Sequence, residues 1–197
     1  LRTAAEIFHL KPEMITTDQR RAAKAINFGI VYGQTAFGLS NQLGISQQEA
    51  STYIKKYLER YPGVSAWVEA NLVKAKASGC VRTLLGRVRW LPELSAKNAA
   101  VRQFAERAAR NTPIQGGSAD IIKLAMLRIA EEMAKVRKNA VMLLQVHDEL
   151  VFEVEKGEAP AFGRWVKGVM EKAIALRVPV VADVKAGLNW QDMEKLK

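Results

Sequence analysis

Two cations followed by two aromatics recur at steps of four in residues 20 to 33, RRAAKAINFGIVYG. These residues are Arg20, Lys24, Phe28 and Tyr32. Because an α-helix turns by about 100° per residue, side chains at this spacing fan across roughly one third of its circumference. Such a face can bind phosphates at its basic end and stack planar rings at its aromatic end. The run therefore favours a helix that binds a nucleoside triphosphate, and an amphipathic helix with solvated cations is the alternative.

Local signals support a helix from residue 17 to 32. The side-chain oxygens at positions 16 to 18 (Thr, Thr and Asp) can cap its N-terminus, and alanines at three later positions favour helix. Gly33 is a suitable C-terminal end. Gly29 costs about 1 kcal/mol relative to alanine inside a helix, so we expect a close approach or a bend at that position.

The charge balance indicates a polyanionic partner. The 197 residues carry a net charge of +10, and 49% of them are hydrophobic, which is an ordinary globular balance. Nucleic acid fits this charge best, although an acidic membrane surface or simple solubility would also account for it. The sequence lacks an apolar span long enough to cross a bilayer, and its single cysteine excludes an intrachain disulfide. We expect a cytoplasmic, nucleoid-associated protein that does not bind membranes, with an organellar or phage source left open.

The order of predicted elements gives an α+β fold, in which a helical first part precedes a small antiparallel sheet packed with helices. The helices are predicted at 1–10, 17–32, 34–44, 46–60, 95–112, 117–136 and 157–176. A turn predicted at 61–67 leads into one further helix that ends near Gly79. A hairpin is predicted at 80–91, and further strands at 140–146, 150–154 and 178–184. Pro113 is expected to break the helical pattern, because proline lacks the N–H that an interior helical position donates.

Acidic residues follow the predicted strand at 140–146. The segment QVHDELVFEV, 145 to 154, places His147, Asp148 and Glu149 at the junction of two strands that we expect to be buried. Carboxylates in such surroundings are costly without a partner, and Mg²⁺ prefers carboxylate and phosphate oxygens. The segment predicts a divalent-metal site, and an ordinary hairpin turn is the alternative.

Three residues that can donate hydrogen bonds recur at steps of four between 105 and 126: Arg107, Asn111 and Gln115. The first two share a helix face, while Pro113 is expected to alter the geometry before the third. Donors of this kind can reach the purine N3 and pyrimidine O2 acceptors of the DNA minor groove, which barely distinguish one base pair from another. A polar face turned to solvent is the alternative. The predicted hairpin carries three arginines, Arg82, Arg87 and Arg89. Contact with the phosphates of a template strand and plain solvation account for them equally well.

The first of these segments closely resembles motif B, the O-helix, of family A DNA polymerases. Every specified position of that motif is filled, namely Arg20, Lys24, Phe28, Gly29, Tyr32 and Gly33. The resemblance implies that Arg20 and Lys24 hold the triphosphate of a dNTP, with Lys24 also assisting the leaving pyrophosphate. It implies that Phe28 packs on the sugar and base, and that Tyr32 occupies the template-side base position in the open state.

The acidic segment resembles motif C of the same family, whose core is V-H-D-E. The resemblance implies that Asp148 binds catalytic metal, that Glu149 has a lesser catalytic role beside it, and that His147 approaches the primer terminus. It also implies that Arg107, Asn111 and Gln115 contact primer–template DNA.

The resemblance spans nearly the whole chain and implies an incomplete polymerase right hand. Residues 1–103, with the O-helix-like segment 17–33, would be fingers, and residues 104–197, with the motif C hairpin at 140–154, would be the C-terminal portion of the palm. Motif A, the D-Y-S-Q-I-E-L-R strand that supplies the second metal-binding aspartate, has no match here, and the family places it before Leu1. We therefore expect two Mg²⁺ ions whose second carboxylate comes from an upstream segment carrying motif A and the thumb.

The expected activity is templated DNA synthesis in replication or repair, in which a primer 3′-hydroxyl attacks a dNTP and pyrophosphate leaves. Two other readings stay open: a single-subunit RNA polymerase with a related palm, and a fragment that binds primer–template DNA without catalysis. Phe28, Gly29 and the V-H-D-E segment favour the DNA enzyme over the RNA enzyme. The isolated chain is expected to have little or no activity by itself.

Overall fold

The structure is a computed structural model that describes residues 2–8, 10–136 and 139–196. Its helices are α1 (Arg2–Phe8), α2 (Thr17–Val31), α3 (Ala36–Leu43), α4 (Gln47–Arg60), α5 (Pro62–Ser78), α6 (Ala99–Val136) and α7 (Ala159–Glu171). Its strands form antiparallel pairs: β1 (Cys80–Arg82) with β2 (Val88–Trp90), β3 (Val141–Val146) with β4 (Glu149–Glu153), and β5 (Lys185–Ala186) with β6 (Glu194–Lys195). Within those ranges, none of the helices combines the length and the apolarity that crossing a bilayer requires.

The chain divides into two compact units, residues 1–116 and residues 117–197. The boundary falls inside α6, thirteen residues beyond the predicted end of the fingers at 103 (116 minus 103). The division is one of packing, and the assignment of fingers and palm to segments of the chain stays a prediction. The predicted α+β class is confirmed, since helices dominate the first unit and a small antiparallel hairpin lies in the second.

Capping and apolar burial explain the helices of the first unit. At the start of α2, Thr16 accepts a hydrogen bond from the backbone of Gln19, whose side chain accepts one in return from the backbone of Thr16. At the start of α4, Ser46 and Glu49 repeat that reciprocal arrangement. The core between these helices is built mainly of small and aliphatic side chains, among them the fully buried Ile26. Local capping thus sets where the helices start, and burial holds them together.

The helix α6 runs without interruption through Pro113, so the prediction of two helices separated at that residue was wrong. Proline removes the N–H that would bond to the carbonyl of Ala109, four residues earlier. The side-chain amide of Asn71, on α5, donates a hydrogen bond to that carbonyl at 2.8 Å. A tertiary contact therefore supplies a donor to the carbonyl that loses its helical bond.

The hairpin of β1 and β2 packs on α6. The Arg89 guanidinium donates a hydrogen bond to the hydroxyl of Thr112 at 3.0 Å, and the buried Thr83 occupies the space that a Cβ at Gly116 would need. The predicted hairpin at 80–91 is confirmed, and Arg89 is bonded within the fold.

The second unit packs α7 and the later part of α6 against the hairpin of β3 and β4. Its core centres on Ile129 and Phe162, with Phe152 of β4 in edge-to-face contact with Phe162 at 5.3 Å between ring centroids. The observed α7 is shorter than the predicted helix at 157–176. The inner face of the hairpin is therefore fixed by aromatic packing against α7.

The strand predicted at 178–184 was wrong, because the structure has no strand in that segment. Pro179 cannot donate to a ladder, and Val181 is 73% exposed. The backbone N–H of Ala182 bonds instead to the Glu171 carboxylate at 3.0 Å, and Val184 accepts from Leu196. The β-branched residues suggested a strand, but the segment finds its polar partners in α7 and the C-terminus.

Candidate nucleotide and DNA site

The predicted fan on α2 forms a contiguous surface. The Phe28 and Tyr32 rings are nearly parallel, with an interplanar angle of 10° and centroids 6.0 Å apart, and the Lys24 ammonium lies 5.8 Å from the Phe28 centroid. Arg20 lies one turn before Lys24 and is exposed, as are the other three side chains. Two cations and two stacked rings thus lie on one accessible helix face, although their proposed contacts with a dNTP stay predictions.

The end of α2 is held by Gln34. Its backbone N–H donates to the carbonyl of Gly29 at 2.7 Å, and its side-chain amide donates to Gln42 at 3.0 Å. A Cβ at Gly29 would collide with Oε1 of Gln34, and a Cβ at Gly38 would lie 3.0 Å from its Cγ. The two glycines therefore make room for one side chain between α2 and α3, which explains the close approach expected at Gly29.

We expect Gly29→Ala to be unfavourable only while Gln34 is present. The new methyl would displace the end of that side chain and break its bond to Gln42, offsetting the roughly 1 kcal/mol that alanine gains in a helix. In a Gln34→Ala background, Gly29→Ala should raise the free energy of unfolding by about 1 kcal/mol. Urea unfolding of the two single variants and the double variant measures the coupling. Additive effects would contradict the proposed contact.

The turn after α2 rests on α6. Gly33 has a φ of 67°, which favours glycine, and a Cβ there would lie 3.4 Å from Cδ of Arg110 and 3.7 Å from Cγ of Arg107. The stacked pair on α2 therefore ends beside the segment of α6 that carries the predicted DNA contacts. The structure thus brings together two segments that the sequence connects only through the family resemblance.

The three predicted DNA-contacting residues lie in one continuous helix, and the expected change of geometry before Gln115 stays a prediction. Arg107 is exposed and lies over the Phe104 ring at 6.0 Å, and Gln115 is also exposed. Asn111 is half-buried, and its Oδ1 has no hydrogen-bond partner among the described residues. The residues span about 80° of the helix face, as steps of four require.

A two-residue turn, His147–Asp148, joins β3 and β4, with Val146 paired to Glu149. His147 has a φ of 54°, an uncommon conformation for a residue other than glycine, and the Gln145 amide donates to its carbonyl at 2.6 Å. Both carboxylates, of Asp148 and Glu149, are exposed and adjacent. The turn thus places two exposed acidic residues, neighbours in sequence, at the tip of the hairpin.

The expectation that this turn lies between two buried strands was wrong for β3. Val141, Leu143 and Leu144 are each about half exposed, and a bulge interrupts the pairing between Met142 and Leu144. Among the described residues, no group of three or more histidine, cysteine, aspartate or glutamate side chains could hold a metal ion. The turn offers hard oxygen donors but only part of a ligand set.

Sequence reasoning missed three residues that shape these surfaces: Gln34, Asn71 and Gln145. Each acts through a side-chain amide bonded to a backbone or amide group, and a single glutamine or asparagine carries no periodicity that would reveal this. The proline at 113 was the one available signal, because a helix that continues through proline needs a donor from elsewhere.

Comparison with known proteins places this chain in a family. A family model described as DNA polymerase family A matches residues 1–192. DNA polymerase I of Bacillus subtilis (strain 168) is 48% identical over 191 residues, which are 97% of this chain and 22% of that protein. DNA polymerase I of Geobacillus stearothermophilus is 47% identical with the same coverage, and that of Pseudomonas aeruginosa is 45% identical over 96% of this chain. The chain therefore spans about one fifth of the length of these curated relatives.

A solved structure gives the same result. The POL domain of Pol1 from M. smegmatis, in complex with DNA primer-template and dNTP, matches with a TM-score of 0.84 and 42% sequence identity. The match covers 90% of this chain and 31% of that one. The sequence and structure comparisons agree over nearly the whole length of this chain. The chain therefore belongs to DNA polymerase family A.

Proposed function

We propose that this chain is the fingers and C-terminal palm portion of a template-directed DNA polymerase. The observation that carries the proposal is the Lys24–Phe28–Tyr32 surface, whose helix ends against Arg107 and Arg110 of α6. This arrangement places a triphosphate-sized basic and aromatic face next to a row of hydrogen-bond donors. The POL domain structure from M. smegmatis supports the proposal, because it is a complex with DNA primer-template and dNTP.

The proposed reaction forms a bond between the primer 3′-oxygen and the dNTP α-phosphorus and breaks the bond from that phosphorus to the departing pyrophosphate. Arg20 and Lys24 would bind the triphosphate, and Lys24 would neutralise the charge that develops on the leaving group. Phe28 would pack on the sugar and base, and Tyr32 would hold the template-side position before closure. Positioning and charge neutralisation dominate reactions of this type.

The DNA would lie along α6. Arg107, Asn111 and Gln115 would donate to minor-groove acceptors that all correctly paired bases share, which tests pair shape without reading sequence. His147 would approach the primer terminus. The net charge of +10 supplies the sequence-independent attraction to phosphate that this binding needs.

Family A polymerases use divalent metal ions, and we propose two Mg²⁺ ions for this site. Asp148 and Glu149 fit as hard oxygen donors, with Asp148 as the ligand and Glu149 beside it, but two adjacent carboxylates do not complete a two-metal site. A second aspartate, from a segment of the motif A type outside these residues, would complete it. When bound, the ions would activate the primer hydroxyl and stabilise the leaving oxygens.

Primer extension with Mg²⁺ and dNTPs tests the proposal. The chain is assayed alone and together with a polypeptide carrying the preceding, motif A-containing part of Bacillus subtilis DNA polymerase I, after gel filtration has shown that the two associate. Extension by the mixture, with little or none from either part alone, would support the shared metal site.

The same assay separates the alternatives. Incorporation of NTPs in preference to dNTPs would establish an RNA polymerase instead. Primer–template binding by an assembled mixture that fails to extend would leave a non-catalytic DNA-binding module as the function.

Phe28→Tyr is expected to ease incorporation of dideoxynucleotides by the assembled polymerase. If the ring packs on the sugar, the added hydroxyl would take the place of the missing 3′-hydroxyl, and a hydrogen bond of ordinary strength would shift discrimination by about tenfold. Competition between ddNTP and dNTP measures the ratio. Phe37→Tyr, the same change at an exposed ring on α3, is the matched control. Unchanged discrimination in Phe28→Tyr would contradict the sugar-packing position.

A further inference from the structure

A side chain on α5 completes the hydrogen bonding of α6 at its proline. Pro113 cannot donate to the carbonyl of Ala109, and Asn71 Nδ2 donates to that oxygen at 2.8 Å in a partly buried position. The proline ring also crowds the carbonyl four residues earlier, which ordinarily kinks a helix. The bond from Asn71 satisfies this carbonyl from outside the helix, and the chain stays helical through Pro113.

The turn of α6 between Ala109 and Pro113 lies within the row of predicted DNA contacts. Ala109 lies between Arg107 and Asn111, and Pro113 lies between Asn111 and Gln115. A kink at this step would rotate and displace Gln115 relative to Arg107. The row can reach successive minor-groove acceptors along one duplex only if the helix keeps its regular geometry here.

We propose that Asn71 is a positioning residue for minor-groove contact: its amide replaces the hydrogen bond lost at Pro113 and keeps Arg107, Asn111 and Gln115 aligned. This inference rests on the proposed DNA-binding function of α6. Asn71 touches neither DNA nor dNTP in this role and acts only through the backbone of α6.

A second tie between the same two helices provides a matched control. Lys76 on α5 and Glu106 on α6 form a salt bridge at 2.7 Å, and the hydrogen bond from Lys76 lowers the pKa of the Glu106 carboxyl. Lys76→Met removes this tie and leaves the Ala109 carbonyl bonded. Weaker packing between α5 and α6 can therefore be separated from loss of the carbonyl's partner.

A double-mutant cycle on the 197-residue chain tests the hydrogen-bond replacement. Asn71→Leu removes the donor at similar size, while Pro113→Ala supplies a backbone N–H for the same carbonyl. We expect Asn71→Leu to raise the unfolding equilibrium constant about tenfold in the native background and about twofold or less with Pro113→Ala. Lys76→Met should raise the unfolding equilibrium constant by the same factor in both backgrounds. Equal losses for Asn71→Leu in both backgrounds, or failure of the double variant to fold, would overturn the proposal.

DNA binding tests the positioning role. The probes are a primer–template duplex and a matched duplex whose purines are 3-deazapurines, which lack the minor-groove N3 acceptor. The native chain and Lys76→Met should bind the modified duplex about tenfold more weakly than the normal one. Asn71→Leu should lose that preference, and adding Pro113→Ala should restore it.

The outcomes distinguish the positioning role of Asn71 from the minor-groove contacts on which it rests. A preference retained in Asn71→Leu would overturn the positioning role while leaving minor-groove binding intact. A native chain indifferent to the modified duplex would overturn the proposed minor-groove contacts, and the positioning role with them. The unfolding cycle still decides in that case whether Asn71 replaces the bond lost at Pro113.

Discussion

Replacing Asp148 by asparagine is expected to lower the rate of primer extension about a thousandfold in the assembled polymerase. Asparagine keeps the size of the side chain and its place in the turn but removes the negative charge that a divalent ion requires. Metal ions contribute several kcal/mol of charge stabilisation to such reactions, and each 1.4 kcal/mol is about tenfold in rate. The measurement is the single-turnover rate at saturating dNTP, repeated over a range of Mg²⁺ concentrations.

Neighbouring carboxylates provide the controls for this prediction. Glu149→Gln, one residue further along the hairpin, should slow extension by only about tenfold if its role is the lesser one. Glu153→Gln, at the exposed end of β4, should leave the rate within about twofold. Equal losses from Asp148→Asn and Glu149→Gln would contradict the assignment of the metal to Asp148.

The location of this turn could be predicted, but its surroundings could not. A continuous apolar run identified the first strand and alternation of apolar and polar residues identified the second, and the observed pairing closes on Val146 and Glu149. The run AVMLLQV predicted a buried strand, whereas Val141 and Leu144 are about half exposed in the structure. A continuous apolar run shows that a strand can be buried on both faces, but whether it is depends on which neighbours the fold supplies.

The helix α2 was predictable because its determinants are local. The cap at Thr16 and the glycine at 33 bracket the observed α2 within one residue of the predicted bounds. The spacing of four residues predicts that Phe28 and Tyr32 lie on one helix face, and their rings stack there. No tertiary partner is needed for any of these features, so sequence pattern suffices.

The helix α6 was mispredicted because rules for a local segment leave out hydrogen-bond donors on other helices. Local rules end or kink a helix at Pro113, and they are correct for the backbone taken alone. Asn71 donates a hydrogen bond from another helix to the carbonyl that Pro113 leaves without its helical donor. The contact of Gly33 with Arg107 has the same character, since it is set by helix packing and has no trace in the spacing of either segment.

Lys24→Ala is expected to lower the maximal rate of nucleotide addition by about a hundredfold to a thousandfold while changing the primer–template Kd by about twofold or less. The ammonium lies 5.8 Å from the Phe28 ring, so a nucleotide stacked on that ring would hold its phosphates beside the positive charge. The charge matters most as pyrophosphate departs, which is why the loss should fall on the chemical step.

Rapid-quench measurement of the maximal rate, together with fluorescence anisotropy for DNA binding, separates the two effects. Lys56→Ala removes another exposed lysine, from α4, and should leave both quantities within about twofold. A proportional loss of DNA affinity and rate in Lys24→Ala would instead place this lysine on the DNA and remove its triphosphate role.

Lys24→Arg then identifies what the ammonium supplies. Arginine keeps the positive charge and can bind phosphate through two N–H groups, but its guanidinium does not give up a proton near neutral pH. A rate within about tenfold of the native value would mean that Lys24 acts through its charge alone. A rate as low as that of Lys24→Ala, with dNTP binding retained, would mean that Lys24 also delivers a proton to the leaving pyrophosphate.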